Sequence, residues 1–155
     1  MKLDADEIVP HLWQGALPPT GSAVSQAGFD LLVLCAREHQ LPSVYFHDVE
    51  VVNAPNDDNE AFGPLTREKL RVALQAAHKV VETVKAGKSA LVTCAAGMNR
   101  SGLVSALALH LLHGWSGSKC IKQVRKKRGP RGGYRPLSNS DFTAALRRLP
   151  SVPRA

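Results

Sequence analysis

The sequence predicts an α/β fold of three layers, in which a central, mainly parallel sheet is flanked by helices. Short apolar runs typical of strands alternate with longer runs whose apolar residues recur every three or four positions, as in helices. The chain has 155 residues, which is enough to bury one hydrophobic core without metals or disulfides. We therefore expect residues 1–155 to form a single domain.

Four short apolar or β-branched segments are the expected strands. Polar residues, glycine or proline bound each of them, which is typical of strand ends. They cover residues 12–15, 31–35, 49–52 and 90–93.

Four helices are expected. Apolar residues at three- and four-residue spacing predict a helix over residues 70–84 that stops near Gly87. The helix over 100–113 is apolar around most of its circumference, so it should be buried. Two more should cover 118–128 and a segment opened by Ser138, with Asp141 completing a capping box. The last helix should bury Phe142, Ala145, Leu146 and Leu149.

Composition narrows the functional classes. No apolar run approaches the roughly 20 residues that a membrane-spanning helix needs, so no membrane insertion is expected. Acidic residues precede any apolar stretch at the N-terminus, which is the wrong order for a signal peptide. The three cysteines form no CxxC pair, so no disulfide framework, metal or cofactor is expected, and a reducing cytoplasm fits best. A formal charge of +7 favours an anionic partner.

The segment from Cys94 to Ser101 follows a strand and leads into the buried helix. In such a loop the backbone N–H groups can turn inward at a helix N-terminus, where the helix dipole favours an anion. The same field stabilises a thiolate, which would make Cys94 a nucleophile. Arg100 could bind two phosphoryl oxygens with its planar guanidinium. The expected phosphate-binding residues are Ala95, Ala96, Gly97, Met98, Asn99 and Arg100.

This segment, TCAAGMNRSG, resembles the signature of the dual-specificity branch of the cysteine-dependent protein tyrosine phosphatases. That signature is a cysteine, five residues, an arginine, and then serine or threonine. IVPHLWQGALP resembles the family's opening strand, APNDDNEAF its general-acid loop and RPLSNSDFTAAL its closing helix. The resemblance implies a protein tyrosine phosphatase-like fold, attack by Cys94 on phosphorus, and help from Ser101 in breaking down a phosphocysteine. Where the family usually has histidine before the cysteine, this chain has Thr93.

A leaving alkoxide or phenoxide needs a proton, so an acid should stand near the loop. Asp57 and Asp58 are the candidates. Asp57 is preferred, because the Asn56-Asp57 pair resembles the segment before the family's catalytic aspartate, although Asp58 keeps a similar distance to Phe62. Without the resemblance, both would be interpreted as residues of a surface turn.

The expected activity is hydrolysis of phosphomonoesters on proteins, phosphotyrosine first and phosphoserine or phosphothreonine second. The alternatives are a phosphatase of phosphoinositides or of RNA 5′ phosphates and, less favoured, a module that binds phosphate without turnover. Nucleic acid is otherwise a disfavoured partner. The loop has no lysine between Cys94 and Arg100, as lipid-directed relatives often have.

Basic residues are concentrated in one short stretch, and the Gly, Pro and Arg-rich loop 128–137, which overlaps its end, could border the active site. This basic stretch could hold an anionic substrate, but a solvated helix face is the commoner interpretation. It contains Lys119, Lys122, Arg125, Lys126, Lys127, Arg128, Arg131 and Arg135.

Overall fold

The structure is a computed structural model that describes residues 3–58 and 64–153. Its strands are β1 (Ala5–Val9), β2 (Leu12–Ala16), β3 (Leu31–Ala36), β4 (Glu50–Asn56) and β5 (Ala90–Cys94). Its helices are α1 (Gly21–Gln26), α2 (Arg67–Lys85), α3 (Arg100–His113), α4 (Gly117–Arg128) and α5 (Ser140–Arg147). A 3₁₀ turn lies at Ser43–Tyr45.

The strands form one sheet in the order β1-β2-β5-β3-β4. Every neighbouring pair is parallel except β1 and β2, which are antiparallel. The prediction of a mainly parallel sheet flanked by helices is thus confirmed. The edge strand β1 was not predicted, because Asp6 and Glu7 interrupt its apolar pattern.

Alternate residues of the central strands face two different layers. Leu31 and Val33 of β3 lie in the large core cluster that also contains residues of α2, α3, α4 and α5. Leu32 and Leu34 face the other side, with Val24 of α1 in a smaller cluster. This alternation follows from the two-residue period of a strand and gives the three layers.

Capping explains where two of the helices begin. The Thr66 side chain accepts a hydrogen bond from the backbone N–H of Lys69, so α2 begins before the apolar pattern does. The predicted cap of the last helix is wrong: Asn139, not Ser138, accepts from the N–H groups of Asp141 and Phe142. The Ser138 hydroxyl instead lies 3.3 Å from the Asn99 side chain.

The parallel strands end at one edge of the sheet, and this edge positions the site. Ala16 pairs with Cys94 across β2 and β5, and the segments after β3 and β4 leave at the same edge. Ligands of open α/β sheets bind outside the carboxyl ends of the strands. None of the helices in the described ranges is long and apolar enough to cross a membrane.

Candidate functional site

The loop between β5 and α3, residues 95–99, has its carbonyl groups bonded to atoms outside the loop. Four consecutive oxygens accept hydrogen bonds: Ala95 O from Leu17 N (3.5 Å), Ala96 O from Arg128 Nη2 (3.1 Å), Gly97 O from Gln14 Nε2 (2.9 Å) and Arg128 Nε (3.0 Å), and Met98 O from Leu137 N (3.2 Å). We refer to residues 95–99 as the cradle loop.

The backbone N–H groups of residues 96–99 point inward and are available to bind a ligand. In a trans peptide the N–H points opposite to the C=O that precedes it, so outward carbonyls at 95–98 imply inward amides at 96–99. These four N–H groups have no hydrogen-bond acceptor among residues 3–58 and 64–153. Consecutive unpaired amides at the start of a helix form an anion-binding concavity.

Gly97 is required by the path of this loop. Its φ is +72°, a conformation that favours glycine. A Cβ atom here would lie 2.4 Å from the carbonyl carbon of Gly15 and 2.6 Å from Arg128 Nη2. The positive φ expected at Gly97 from the sequence is therefore present, and close packing against β2 adds a second reason for glycine.

Cys94 lies at the base of the cradle loop. Its Sγ is 3.3 Å from the hydroxyl of Ser101, which is buried in the first turn of α3. The neighbouring Thr93 donates its hydroxyl to the carbonyl of Val33, 3.0 Å away on β3. Thr93 therefore ties two strands together and is turned from the thiol.

The other two cysteines are buried and chemically quiet. Burial raises the pKa of the Cys35 thiol well above its ordinary value, and it raises that of Cys120 to about 11. Both are free thiols. Their protonated state at neutral pH agrees with their interpretation as small buried hydrophobes.

The Arg100 guanidinium is bound by an acidic residue, Glu38, that the sequence analysis did not predict. Its Nη1 and Nη2 lie 2.5 and 3.0 Å from the two carboxylate oxygens of Glu38, and Nη1 also donates to Asn56 O at 3.2 Å. The hydrogen bond from Arg100 is the main cause that lowers the pKa of Glu38 to about 2. The Arg100 Nε is buried and has no partner among the described residues.

The two candidate acids differ in their neighbours. Asp57 is bound by Arg37 Nε at 2.7 Å and by Lys69 Nζ at 3.6 Å. Asp58 instead contacts the Asn99 side chain of the cradle loop, Oδ2 to Nδ2, at 3.4 Å, and its backbone oxygen accepts from Asn139 Nδ2. Asp58 thus contacts the cradle loop itself. Phe62, the reference residue of the sequence argument, lies outside the described residues.

Part of the basic stretch is structural rather than a solvated helix face. Arg128 is fully buried, and Arg125 donates to the carbonyls of Pro136 and Leu137. The loop 128–137 reaches the site through the backbone bond from Leu137 to Met98. The expectation that this loop borders the site agrees with the structure. The expectation of a solvated face is wrong for Arg128, whose charge is neutralised by Asp4 and Asp6.

Three residues at the site, Gln14, Glu38 and Asn139, were missed from the sequence, and Arg128 was noted only as part of the basic stretch, without its bonds to the cradle loop. Gln14 had a usable signal, because it is a polar residue at a fully buried position of an otherwise apolar strand. The other three had no local signal. Their partners lie 62, 32 and 40 positions away along the chain.

Comparison with known proteins shows that the structure of this chain is similar to several solved structures. No protein-family model and no curated protein matches the sequence. The structure of human DUSP28 is similar with a TM-score of 0.74 and 22% identity, over 96% of this chain and 94% of that one. Tk-PTP in its active form gives 0.72 and 25%, over 96% and 97%. PTPMT1 in complex with PI(5)P gives 0.69 and 18%, over 94% of each chain.

Proposed function

Since the chain has the fold of the dual-specificity-type protein tyrosine phosphatases, we propose that it is a phosphatase that uses Cys94 as its nucleophile. The whole chain would be one catalytic domain. The observation that supports this most directly is the cradle loop, which presents four unpaired amides above a cysteine at the N-terminus of a buried helix. A phosphoryl dianion is the ligand that this arrangement suits.

In the first step, the Cys94 thiolate attacks phosphorus and forms an S–P bond while the P–O ester bond breaks. The amides at 96–99 and Arg100 stabilise the charge on the three other phosphoryl oxygens. Arg100 can offer its unpaired Nε and the second N–H of Nη2 while Glu38 binds the adjacent Nη1–Nη2 edge of the guanidinium. Bidentate binding of this kind needs a planar guanidinium.

The leaving oxygen takes a proton from an aspartic acid in the same step. We propose Asp58 for this role, because it contacts the cradle loop, whereas Asp57 is bound by Arg37 and Lys69. Reach is the first requirement of a general acid. This proposal reverses the sequence-based preference for Asp57.

In the second step, water attacks phosphorus and the S–P bond breaks, which releases inorganic phosphate and restores the Cys94 thiolate. The aspartate accepts the proton of the water. Ser101 lies 3.3 Å from the sulfur and can donate its hydroxyl hydrogen to the departing thiolate. Neither step of the proposed mechanism uses a cofactor.

Phosphorylated proteins are the proposed substrates, with phosphotyrosine first. The cradle loop has no lysine, which argues against a polyphosphorylated lipid headgroup. Phosphoinositides remain the second candidate because PTPMT1, which shares the fold, was crystallised with PI(5)P. RNA 5′ phosphate is a third. We propose a cytoplasmic location, which suits three free thiols.

The test is turnover by the purified protein on phosphotyrosine, phosphoserine and phosphothreonine peptides, soluble phosphoinositides and 5′-phosphorylated RNA. Acid quenching with a ³²P-labelled phosphotyrosine peptide should leave label on the tryptic peptide that contains Cys94. Turnover without label at Cys94 would contradict the mechanism. No turnover on any substrate would contradict the function.

A further inference from the structure

We infer that Gln14 and Arg128 are positioning residues that fix the direction of two amides in the cradle loop. This inference rests on the proposed function, since it concerns how the same site binds phosphate. Neither side chain would touch the substrate. Each would act through the carbonyl oxygen of a peptide whose N–H faces the ligand.

The argument follows from peptide geometry. Arg128 Nη2 binds Ala96 O, and the N–H of that peptide belongs to Gly97. Arg128 Nε and Gln14 Nε2 both bind Gly97 O, and the N–H of that peptide belongs to Met98. A glycine peptide can rotate more easily than any other, so two donors on this one oxygen restrain the softest point of the loop.

The free-energy cost of burying the Arg128 guanidinium indicates that its position is important for the site. Its side chain is 0% exposed, and a buried charge is costly unless it is paired and hydrogen-bonded. Asp4 Oδ1 at 2.9 Å and Asp6 Oδ2 at 3.0 Å bind Nη1, which leaves Nε and Nη2 for the loop carbonyls. The Nη1 side of the guanidinium thus binds the two neutralising carboxylates, and the Nε–Nη2 side binds the cradle loop.

The chain contains a matched control. Arg131 binds the same two carboxylates, at 3.3 Å from Asp4 and 2.7 Å from Asp6, and is 41% exposed. It has no hydrogen bond to the cradle loop among the described residues. Arg128→Met and Arg131→Met therefore disturb the same acidic pair, but only Arg128→Met removes the donor of Ala96 O and one of the two donors of Gly97 O.

The experiment follows individual amides while inorganic phosphate is added. The ¹⁵N-labelled Cys94→Ser protein serves as parent, because it should bind phosphate without turnover. Phosphate should shift the amide signals of residues 96, 97, 98 and 99. With Arg128→Met added, the shifts of Gly97 and Met98 at saturation should fall by more than half, and Kd should rise by about tenfold or more. Ala96 and Asn99 should keep their shifts, since backbone donors hold their peptides. Arg131→Met should match the parent.

Gln14→Met provides a second variant, because Gln14 contacts only Gly97 O of the loop. It should reduce the Met98 shift and leave Gly97 unchanged, which a general loss of stability would not do. A folded Arg128→Met protein with the parent's Kd and all four shifts would overturn the inference. If Arg128→Met does not fold, an unchanged Met98 shift in Gln14→Met would overturn it. If the Cys94→Ser parent itself shows no shifts, the proposed function fails and the inference fails with it.

Discussion

The cradle loop and the segment that contains Asp57 and Asp58 meet at one edge of the sheet, but different forces hold them. The cradle loop follows a central strand and is restrained at four carbonyls, largely by backbone and buried donors. The acid segment is held by side chains, and the shortest ion pair of Asp57 is with Arg37, which is 57% exposed. Buried hydrogen bonds fix geometry strongly, whereas exposed ion pairs are weak and screened by salt. Changes in the loop should therefore abolish the chemistry, and changes in the acid segment should reduce it by degrees.

The largest effect is expected at the base of the cradle loop. Cys94→Ser removes the nucleophile, so kcat should fall by at least about 10⁴-fold. The amides remain, so Kd for phosphate should stay within about threefold of the wild-type value. Steady-state kinetics and calorimetry measure the two quantities. Cys120→Ala, at a buried thiol with a pKa of about 11, is the control and should retain turnover. Substantial turnover by Cys94→Ser would place the nucleophile elsewhere.

Arg100→Lys should have the next largest effect. An ammonium keeps the charge but cannot bind Glu38 and two phosphoryl oxygens in one plane, so kcat should fall by roughly 10²- to 10³-fold. Arg71→Lys is the control, because the exposed Glu68 is the one ion-pair partner of Arg71 within residues 3–58 and 64–153. Near-normal kcat for Arg100→Lys would show that the guanidinium does not act on the phosphoryl group.

The acid segment should give a graded effect. Asp58→Asn should lower kcat/KM by about 10²-fold for phosphotyrosine peptides and less for activated aryl phosphates, whose leaving groups need no proton. It should also remove the alkaline limb of the pH profile. Asp57→Asn, its neighbour, should leave that limb in place. The reverse pattern would restore Asp57 as the acid and leave the cysteine mechanism intact.

These differences also explain what could be predicted from the sequence. The strand, the cradle loop and α3 are consecutive in the sequence, so their local pattern was enough to predict Cys94, Gly97 and Arg100 as site residues. The sheet followed from apolar periodicity, except for β1, whose acids serve Arg128 instead of the core. Glu38 meets Arg100 across 62 positions of sequence, and no local pattern records such a partner. For the same reason, the sequence could not show which of Asp57 and Asp58 contacts the cradle loop.

Glu38 should give the smallest effect. Its pKa is lowered from 4.5 to about 2, so its ion pair with Arg100 stabilises the folded protein fully above pH 4.5 and less as pH falls toward 2. Glu38 is 51% exposed, so the gain is modest. The difference in Tm between wild type and Glu38→Gln should be constant from about pH 5 to 8 and shrink below pH 4.5. Thermal melts across this range measure it, with Glu82→Gln as an exposed control. A difference that grows in acid would contradict the assignment.

The ion pairs of Arg128 with Asp4 and Asp6 also connect the edge strand β1 to the cradle loop, where phosphate would bind. Asp6 lies in β1, and the backbone oxygen of Asp4 accepts from Ala16 at the end of β2. If phosphate binds the amides that Arg128 orients, thermodynamic linkage requires that bound phosphate stabilise β1 by the same free energy that an ordered β1 adds to phosphate affinity. Amide hydrogen exchange in Ala5–Val9 should accordingly slow when phosphate saturates the site. The slowing should disappear in Arg128→Met. An edge strand with no residue in the catalytic step would then report occupancy of the site.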